Sequence, residues 1–252
     1  MSRRKLGAEM IVQKFGGIAM KDETIRMKCI EHINIGIEQH KKVVIVVSAI
    51  GRLGDPYATD SLLGLSPALS ADPAAKDLIA SCGELIAASV LSAELNNYGI
   101  TNTVLHGTQT GILTDGVFGD AAIIQIDPSN ILSHLKETDC IIIPGFQGMD
   151  INGNVTTLGR GGSDLTAVSL ASALFASHAE FFKDVPGVMT ADPREVANSK
   201  KIDSLKISEF LSLLNSERPI IQKRAALLAQ KMAIPLYIRG IAGNEDGTWV
   251  TP

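Results

Sequence analysis

A chain of 252 residues with 45% hydrophobic and only 20% charged side chains has the material for one large buried core, a balance that excludes an intrinsically disordered chain. Its 27 acidic and 23 basic residues leave a net charge of -4, which excludes the broad basic surface that would bind nucleic acid or an anionic membrane. Any anionic ligand must therefore be met by local positive charge.

The elements follow one another in a regular alternation. A strand is expected at residues 11–15, a helix at 23–39, a strand at 43–47, a helix at 73–95 and a strand at 103–106. The pattern resumes with a helix at 128–135, a strand at 140–144, a hairpin near Val155, a helix at 163–176 and a strand at 179–183. Helices near 207–214 and 222–232 and strands at 236–239 and 248–250 complete it. Short apolar strands alternating with helices predict a single α/β domain over residues 1–252, a three-layer αβα sandwich on a mainly parallel sheet. The one long break, residues 51–72, is rich in Gly, Pro, Asp and Ser and reads as an ordered loop over a site.

Apolar runs such as 43–47 and 141–143 are far below the roughly 20 residues of a membrane helix, so no membrane span is expected. Arg3, Arg4 and Lys5 are followed by Glu9 and Gln13 rather than by the apolar stretch of an export signal. Cys29, Cys82 and Cys140 are odd in number and lack metal-ligand spacing; they read as reduced core thiols of a cytoplasmic protein with no protein-held metal.

Several loops carry chemistry. The first strand ends in Lys14-Phe15-Gly16-Gly17, where paired glycines let the backbone approach an anion and Lys14 adds a charge; a plain strand-to-helix turn is the alternative. Gly159-Arg160-Gly161-Gly162-Ser163-Asp164 runs straight into an Ala-rich helix, joining glycines, a guanidinium and a helix N-terminus into a carboxylate or phosphate trap. In the alternative, Ser163 or Asp164 is merely the helix cap. Ser81 and Glu84 have capping-box spacing, yet Glu84 precedes the apolar run 85–91, where a buried carboxylate would accept an amino acid's ammonium. The segment from Lys183-Asp184 to Asp192-Pro193-Arg194 follows a buried strand, where parallel sheets bind ligands.

Together these motifs, with Val46-Val47-Ser48-Ala49, Thr59-Asp60, Cys82-Gly83-Glu84 and Gly145-Phe146-Gln147-Gly148, resemble the catalytic domain of the aspartate kinases of the amino acid kinase family, from about Ile11 to Pro252. The resemblance implies an αβα fold and an ATP-dependent phosphotransferase that uses Mg²⁺ and phosphorylates the side-chain carboxylate of L-aspartate. It implies that Lys14, Gly16, Gly17, Ser48, Lys183, Asp184, Met189, Asp192 and Arg194 serve the nucleotide, with Lys14 and Asp184 catalytic. Thr59, Glu84, Arg160, Gly161, Gly162, Ser163 and Asp164 would hold the amino acid. It further implies a cytoplasmic enzyme of lysine biosynthesis that forms a homodimer. Family members usually carry C-terminal ACT domains; this sequence ends just after its last strand, and ACT modules of its own are not expected.

The chain departs from the family pattern in places. Ile18-Ala19 stand where the family usually has Thr-Ser, Lys183 stands where it has Thr, and Pro219 takes the place of a second phosphate lysine, for which Lys183 or Arg218 is the expected replacement. These departures keep two alternatives open: an impaired pseudokinase that binds nucleotide or amino acid as a regulatory partner, and an amino acid kinase with a different acceptor.

Overall fold

The computed structural model describes residues 9–191, 196, 198–214, 219–243 and 246–252. An eight-stranded sheet forms the centre, built from β1 (Met10–Phe15), β2 (Lys42–Val47), β3 (Asn102–Val104), β6 (Cys140–Pro144), β9 (Ala179–Lys183), β10 (Ser204–Lys206), β11 (Leu236–Gly240) and β12 (Thr248–Thr251). Its order is β10-β12-β11-β9-β1-β2-β6-β3, parallel except where β12 meets β11. A second sheet of β4 (Ile112–Thr114), β5 (Ile123–Ile126), β7 (Gln147–Met149) and β8 (Val155–Thr157) has the order β5-β4-β7-β8.

The two-residue period of a strand explains the layers. Val12, Val44, Val46, Ile141, Ile143, Phe181 and Ile238 face one way, onto α5 (Gly162–Leu174), α6 (Ile207–Leu213) and α7 (Lys223–Met232). Ile11, Phe15, Val43, Ile45, Val47, Ile142 and Phe182 face the other, onto α1 (Glu23–His40) and α3 (Pro73–Asn97). Strands buried on both faces have no polar alternation, which is why these segments read as continuous apolar runs. Chain order runs outward from β1 through β2 and β6, then returns to β9 on the other flank of β1. Such a reversal opens a crevice at the carboxyl ends of the strands, and Lys14 and Lys183 sit at those ends.

The helices start where local chemistry satisfies their free N–H groups. Asp22 accepts from the Ile25 N–H at 3.0 Å to cap α1, and Asp72 accepts from the Ala75 N–H at 3.0 Å, with Pro73 next, to cap α3. α3 is long and apolar enough to cross a membrane by length and composition. Apolar runs alone did not reveal this, because its composition is spread over small residues; Ala80, Ala87, Ala88, Leu91 and Leu95 are buried in the core.

The sequence-based expectations need other corrections. The strand expected at 103–106 ends at Val104, because the backbone turns into a short 3-10 segment at Gly107–Thr110. The segment 51–72 holds a one-turn helix, α2 (Thr59–Leu63), and a 3-10 turn at Pro67–Ala71. Of the second sheet only the β7–β8 hairpin was anticipated; strands of three or four residues carry too little periodicity to register. The remaining helix, α4 (Ser129–His134), lies within its expected span.

Phe15 and Phe182 stack with ring centroids 4.5 Å apart beneath the strand ends that present Lys14 and Lys183. Phe182 is 1% exposed. We expect Phe182→Ala to cost about 3–5 kcal/mol in urea unfolding; a loss below about 1 kcal/mol would show that this stack is not part of the core.

Candidate active site

Lys14 shares the face of Val12 and therefore points toward α5, whose first turn carries Asp164. The two meet at 2.7 Å with both side chains buried. The second carboxylate oxygen of Asp164 accepts from the Gln222 N–H at 3.2 Å. Burial pushes the Asp164 carboxyl up, but the charges of Lys14 and Lys183, together with these hydrogen bonds, outweigh it and bring it down to about 2. Lys183 comes from the same face of the neighbouring strand and is partly exposed. Burial and the nearby charges of Lys14 and Arg52 push its ammonium down to about 8, against the opposing pull of Asp164 and Asp184.

The loop before α5 is shaped by packing. Gly161 caps the helix at φ 73, and a Cβ there would lie 1.8 Å from Gln222 Cγ; one on Gly162 would lie 2.8 Å from the Phe146 ring. Ser163 and Asp164 lie inside the helix, so the alternative that either is merely its cap does not hold: Gly161 is the cap and the helix begins at Gly162. Arg160 stands exposed at the rim. The first loop is similar. A Cβ on Gly17 would lie 2.3 Å from the Gly51 carbonyl, whereas one on Gly16 would meet only the Lys14 ammonium, at 3.5 Å. Gly17 thus lets the loop after β2 dock, and Gly16 leaves the backbone open beside the Lys14 charge.

Glu84 does not close a capping box, because α3 begins at Pro73 and Ser81 hydrogen-bonds to the Leu78 carbonyl at 2.7 Å. Glu84 is 2% exposed; Oε1 accepts from the Ala49 N–H at 3.1 Å, while Oε2 has no hydrogen-bond partner among the described residues. Burial pushes this carboxyl up to about 8, against the Ala49 N–H and the Lys14 charge. Gly83 makes the approach feasible, since a Cβ there would be 2.7 Å from the Ala49 methyl and 2.9 Å from the Tyr57 carbonyl. The start of α2, with the partly buried Thr59, therefore rests against α3 next to Glu84.

The structure thus gathers Lys14, Asp164 and Lys183 in mutual contact or close electrostatic reach, with Glu84 within the influence of Lys14 and Ser48 one residue before Ala49. Asp184 is exposed just beyond β9, and Met189 is partly buried at a bridge to Lys201. Asp192, Arg194 and Arg218 lie outside the described residues. Sequence reasoning missed Arg52, which bears on Lys183, and Gln222, whose N–H holds Asp164. The signal for Arg52 was its place directly after a parallel strand; that for Gln222 was absent, because a backbone N–H has no side-chain signature.

Residues 9–240 match the amino acid kinase family. The chain is 42% identical over 245 residues to Aspartokinase 1 of Bacillus subtilis, covering 96% of this chain and 61% of that protein. It is 37% identical over 247 residues to an aspartokinase of Helicobacter pylori strain 26695, covering 96% and 59%. The chain therefore spans about three fifths of the length of these relatives. Among solved structures, Escherichia coli aspartokinase III in complex with aspartate and ADP superposes with a TM-score of 0.82 at 25% identity, over 96% of this chain and 64% of that one. Isopentenyl phosphate kinase, at 18% identity and a TM-score of 0.67, shares the fold over 96% of this chain and 100% of that one.

The raised Glu84 carboxyl has a consequence for stability. A folded-state value above the ordinary 4.5 means the folded protein holds a proton that the unfolded chain gives up, so stability falls as pH rises from about 4.5 to about 8. Glu84→Gln keeps the acceptor for Ala49 and carries no charge. We expect the variant to gain on the wild type by up to a few kcal/mol across that window in pH-dependent urea unfolding. Parallel pH profiles for the two proteins would contradict this.

Proposed function

The chain belongs to the amino acid kinase family, and from that premise we propose that it transfers the γ-phosphoryl group of ATP to the side-chain carboxylate of L-aspartate. An oxygen of that carboxylate attacks the γ-phosphorus, the bond from phosphorus to the bridging oxygen breaks, and an acyl phosphate and ADP leave. The observation that carries this reading is Glu84: a carboxyl group buried in α3, near enough to Lys14 to feel its charge, with one oxygen that has no hydrogen-bond partner among the described residues. Such a group is costly alone and is satisfied by a ligand ammonium.

The remaining roles follow from charge. Arg160 and the N-terminal turn of α5 suit the α-carboxylate of the amino acid, and we assign Thr59, at the start of α2, to the same acceptor site as Glu84. Lys14 and Lys183 suit the phosphates, and Asp164 holds both lysines in place as a fixed counter-charge. Gly16 and Ser48 lie at the same strand ends, and Met189, Asp192 and Arg194 are assigned to the nucleotide side. Among the described residues no group of three or more His, Cys, Asp or Glu could hold a metal ion. A Mg²⁺ would accordingly be held mainly by phosphate oxygens and water and would supply charge neutralisation, with Asp184 orienting the cationic groups through its charge on Lys183. Catalysis then consists of positioning and neutralisation by groups already in place.

The departures from the family pattern bear on this reading in different ways. Ala19 is 1% exposed, and its carbonyl accepts from Cys29 Sγ at 3.3 Å, so position 19 faces the core. Ile18 is partly exposed and offers no hydroxyl. Lys183 and Arg52 supply positive charge where Pro219 does not. The similarity to aspartokinases supports L-aspartate as the acceptor, and we extend the same reading to a cytoplasmic role in lysine biosynthesis.

A coupled ADP-release assay with L-aspartate and Mg-ATP tests the proposal. We expect turnover in the intact protein and a loss on the order of 10²- to 10³-fold in Lys14→Ala, comparable to deleting an oxyanion donor. ADP release no faster than in Lys14→Ala would sink the kinase reading; a thermal shift with ATP or aspartate but no ADP release would replace it with a ligand-binding pseudokinase. Turnover with another carboxylate but not with aspartate would change the acceptor alone.

A further inference from the structure

Helix α3 carries a second buried carboxylate that the reaction above does not use. Asp77 precedes Glu84 by seven residues, close to two helical turns, so the two project from the same side of the helix about 10 Å apart along its axis. Asp77 is 2% exposed. Its Oδ2 accepts from the Gly119 N–H at 2.9 Å and the Thr157 N–H at 2.7 Å, and its Oδ1 accepts from the Thr157 hydroxyl at 2.9 Å. A carboxylate sealed from water needs donors for its lone pairs, and none of these three donors belongs to α3 or to the large sheet.

What Asp77 grips is the root of the glycine loop. Thr157 is the last residue of β8, two positions before Gly159. Around it the Ala121 N–H donates to the Thr157 carbonyl at 2.8 Å, and Arg224 Nη1 donates to the Leu158 carbonyl at 3.2 Å while pairing with Asp120 at 2.5 Å. The Asp120 carboxylate in turn closes over Gly159, where a Cβ would lie 2.4 Å from Oδ1. The backbone thus reaches Arg160 from an anchor on the helix that also bears Glu84.

We propose that Asp77 is a positioning residue of the acceptor site, fixing the gap between Glu84 and the Arg160 to Asp164 loop by tying Thr157 and Gly119 to α3. It touches no substrate atom. The inference rests on the reading of that gap as the amino acid site, and it makes α3 a ruler: one end of the acceptor is met by a side chain of the helix, the other by a loop that the helix holds.

The test is Asp77→Asn, which keeps the size of the side chain but presents an N–H₂ to one of its donors. We expect the KM for the acceptor amino acid to rise about tenfold or more while the KM for ATP stays within about twofold, since Asp164 beside the nucleotide lysines is held separately by Lys14 and the Gln222 N–H. Loss of thermal stability with both KM values unchanged would reduce Asp77 to a structural residue and overturn the proposal. Thr157→Val removes the hydroxyl donor alone; we expect a smaller shift of the same kind, and it serves if Asp77→Asn fails to fold. A readout without substrate separates this inference from the functional one. In the ligand-free protein, hydrogen exchange across residues 157–164 and tryptic cleavage after the exposed Arg160 should quicken in both variants. Quickening in a protein that phosphorylates no amino acid would uphold the tie and defeat the acceptor reading. Unchanged exchange and cleavage in both variants would defeat the tie itself.

Discussion

The site depends on the buried ion pair between Lys14, at the end of the central strand, and Asp164, in the first turn of α5. Neither charge would remain in so dry a place alone. The helix terminus favours the carboxylate, the Gln222 N–H fills its other oxygen, and Lys183 adds a second positive neighbour. The arrangement holds more cation than carboxylate at its centre, and that excess suits a polyanion. The interaction also joins three pieces of chain that are remote in sequence: β1, the glycine loop with α5, and the segment before α7. A buried pair of this kind is weak as a source of stability and strong as a source of specificity of placement.

The glycines contribute to the same end by allowing approach. Gly17 admits the Gly51 carbonyl, Gly83 admits Ala49 and the Tyr57 carbonyl, and Gly161 admits the Gln222 side chain. Gly17 and Gly161 let one loop pack on another segment and Gly83 lets a loop dock on α3, so the mouth of the crevice is assembled by close packing of separate segments. Gly16, facing the Lys14 ammonium, keeps the open character expected of a phosphate cradle. The glycine-rich motifs are therefore as much about closing the site's walls as about touching its ligand.

Positive charge at the mouth comes from the strand ends and from the loop after β2: Lys14 and Lys183 end neighbouring strands, and Arg52 bears on Lys183. Cations carried by separate segments sum to one local positive field on a chain of net negative charge.

The sequence by itself determined the main alternation of strands and helices, the mainly parallel sheet and the glycine loops, though not the short strands β4, β5 and β10, because long buried strands and capped helices write their periods and stop signals locally. Residues 11–15, 43–47, 140–144 and 179–183 are strands within a residue of expectation, for that reason. It also singled out Lys14, Glu84, Asp164 and Lys183 as residue types suited to the chemistry, though it left Glu84 between a helix cap and a ligand group. Only the tertiary structure decided that Glu84 is deep inside α3 with an unpartnered oxygen, that Asp164 pairs with Lys14, and that Gln222 and Arg52 belong to the site. It alone revealed the four-stranded second sheet. Burial and charge pairing arise between segments far apart in sequence, and no local pattern records which of them will meet.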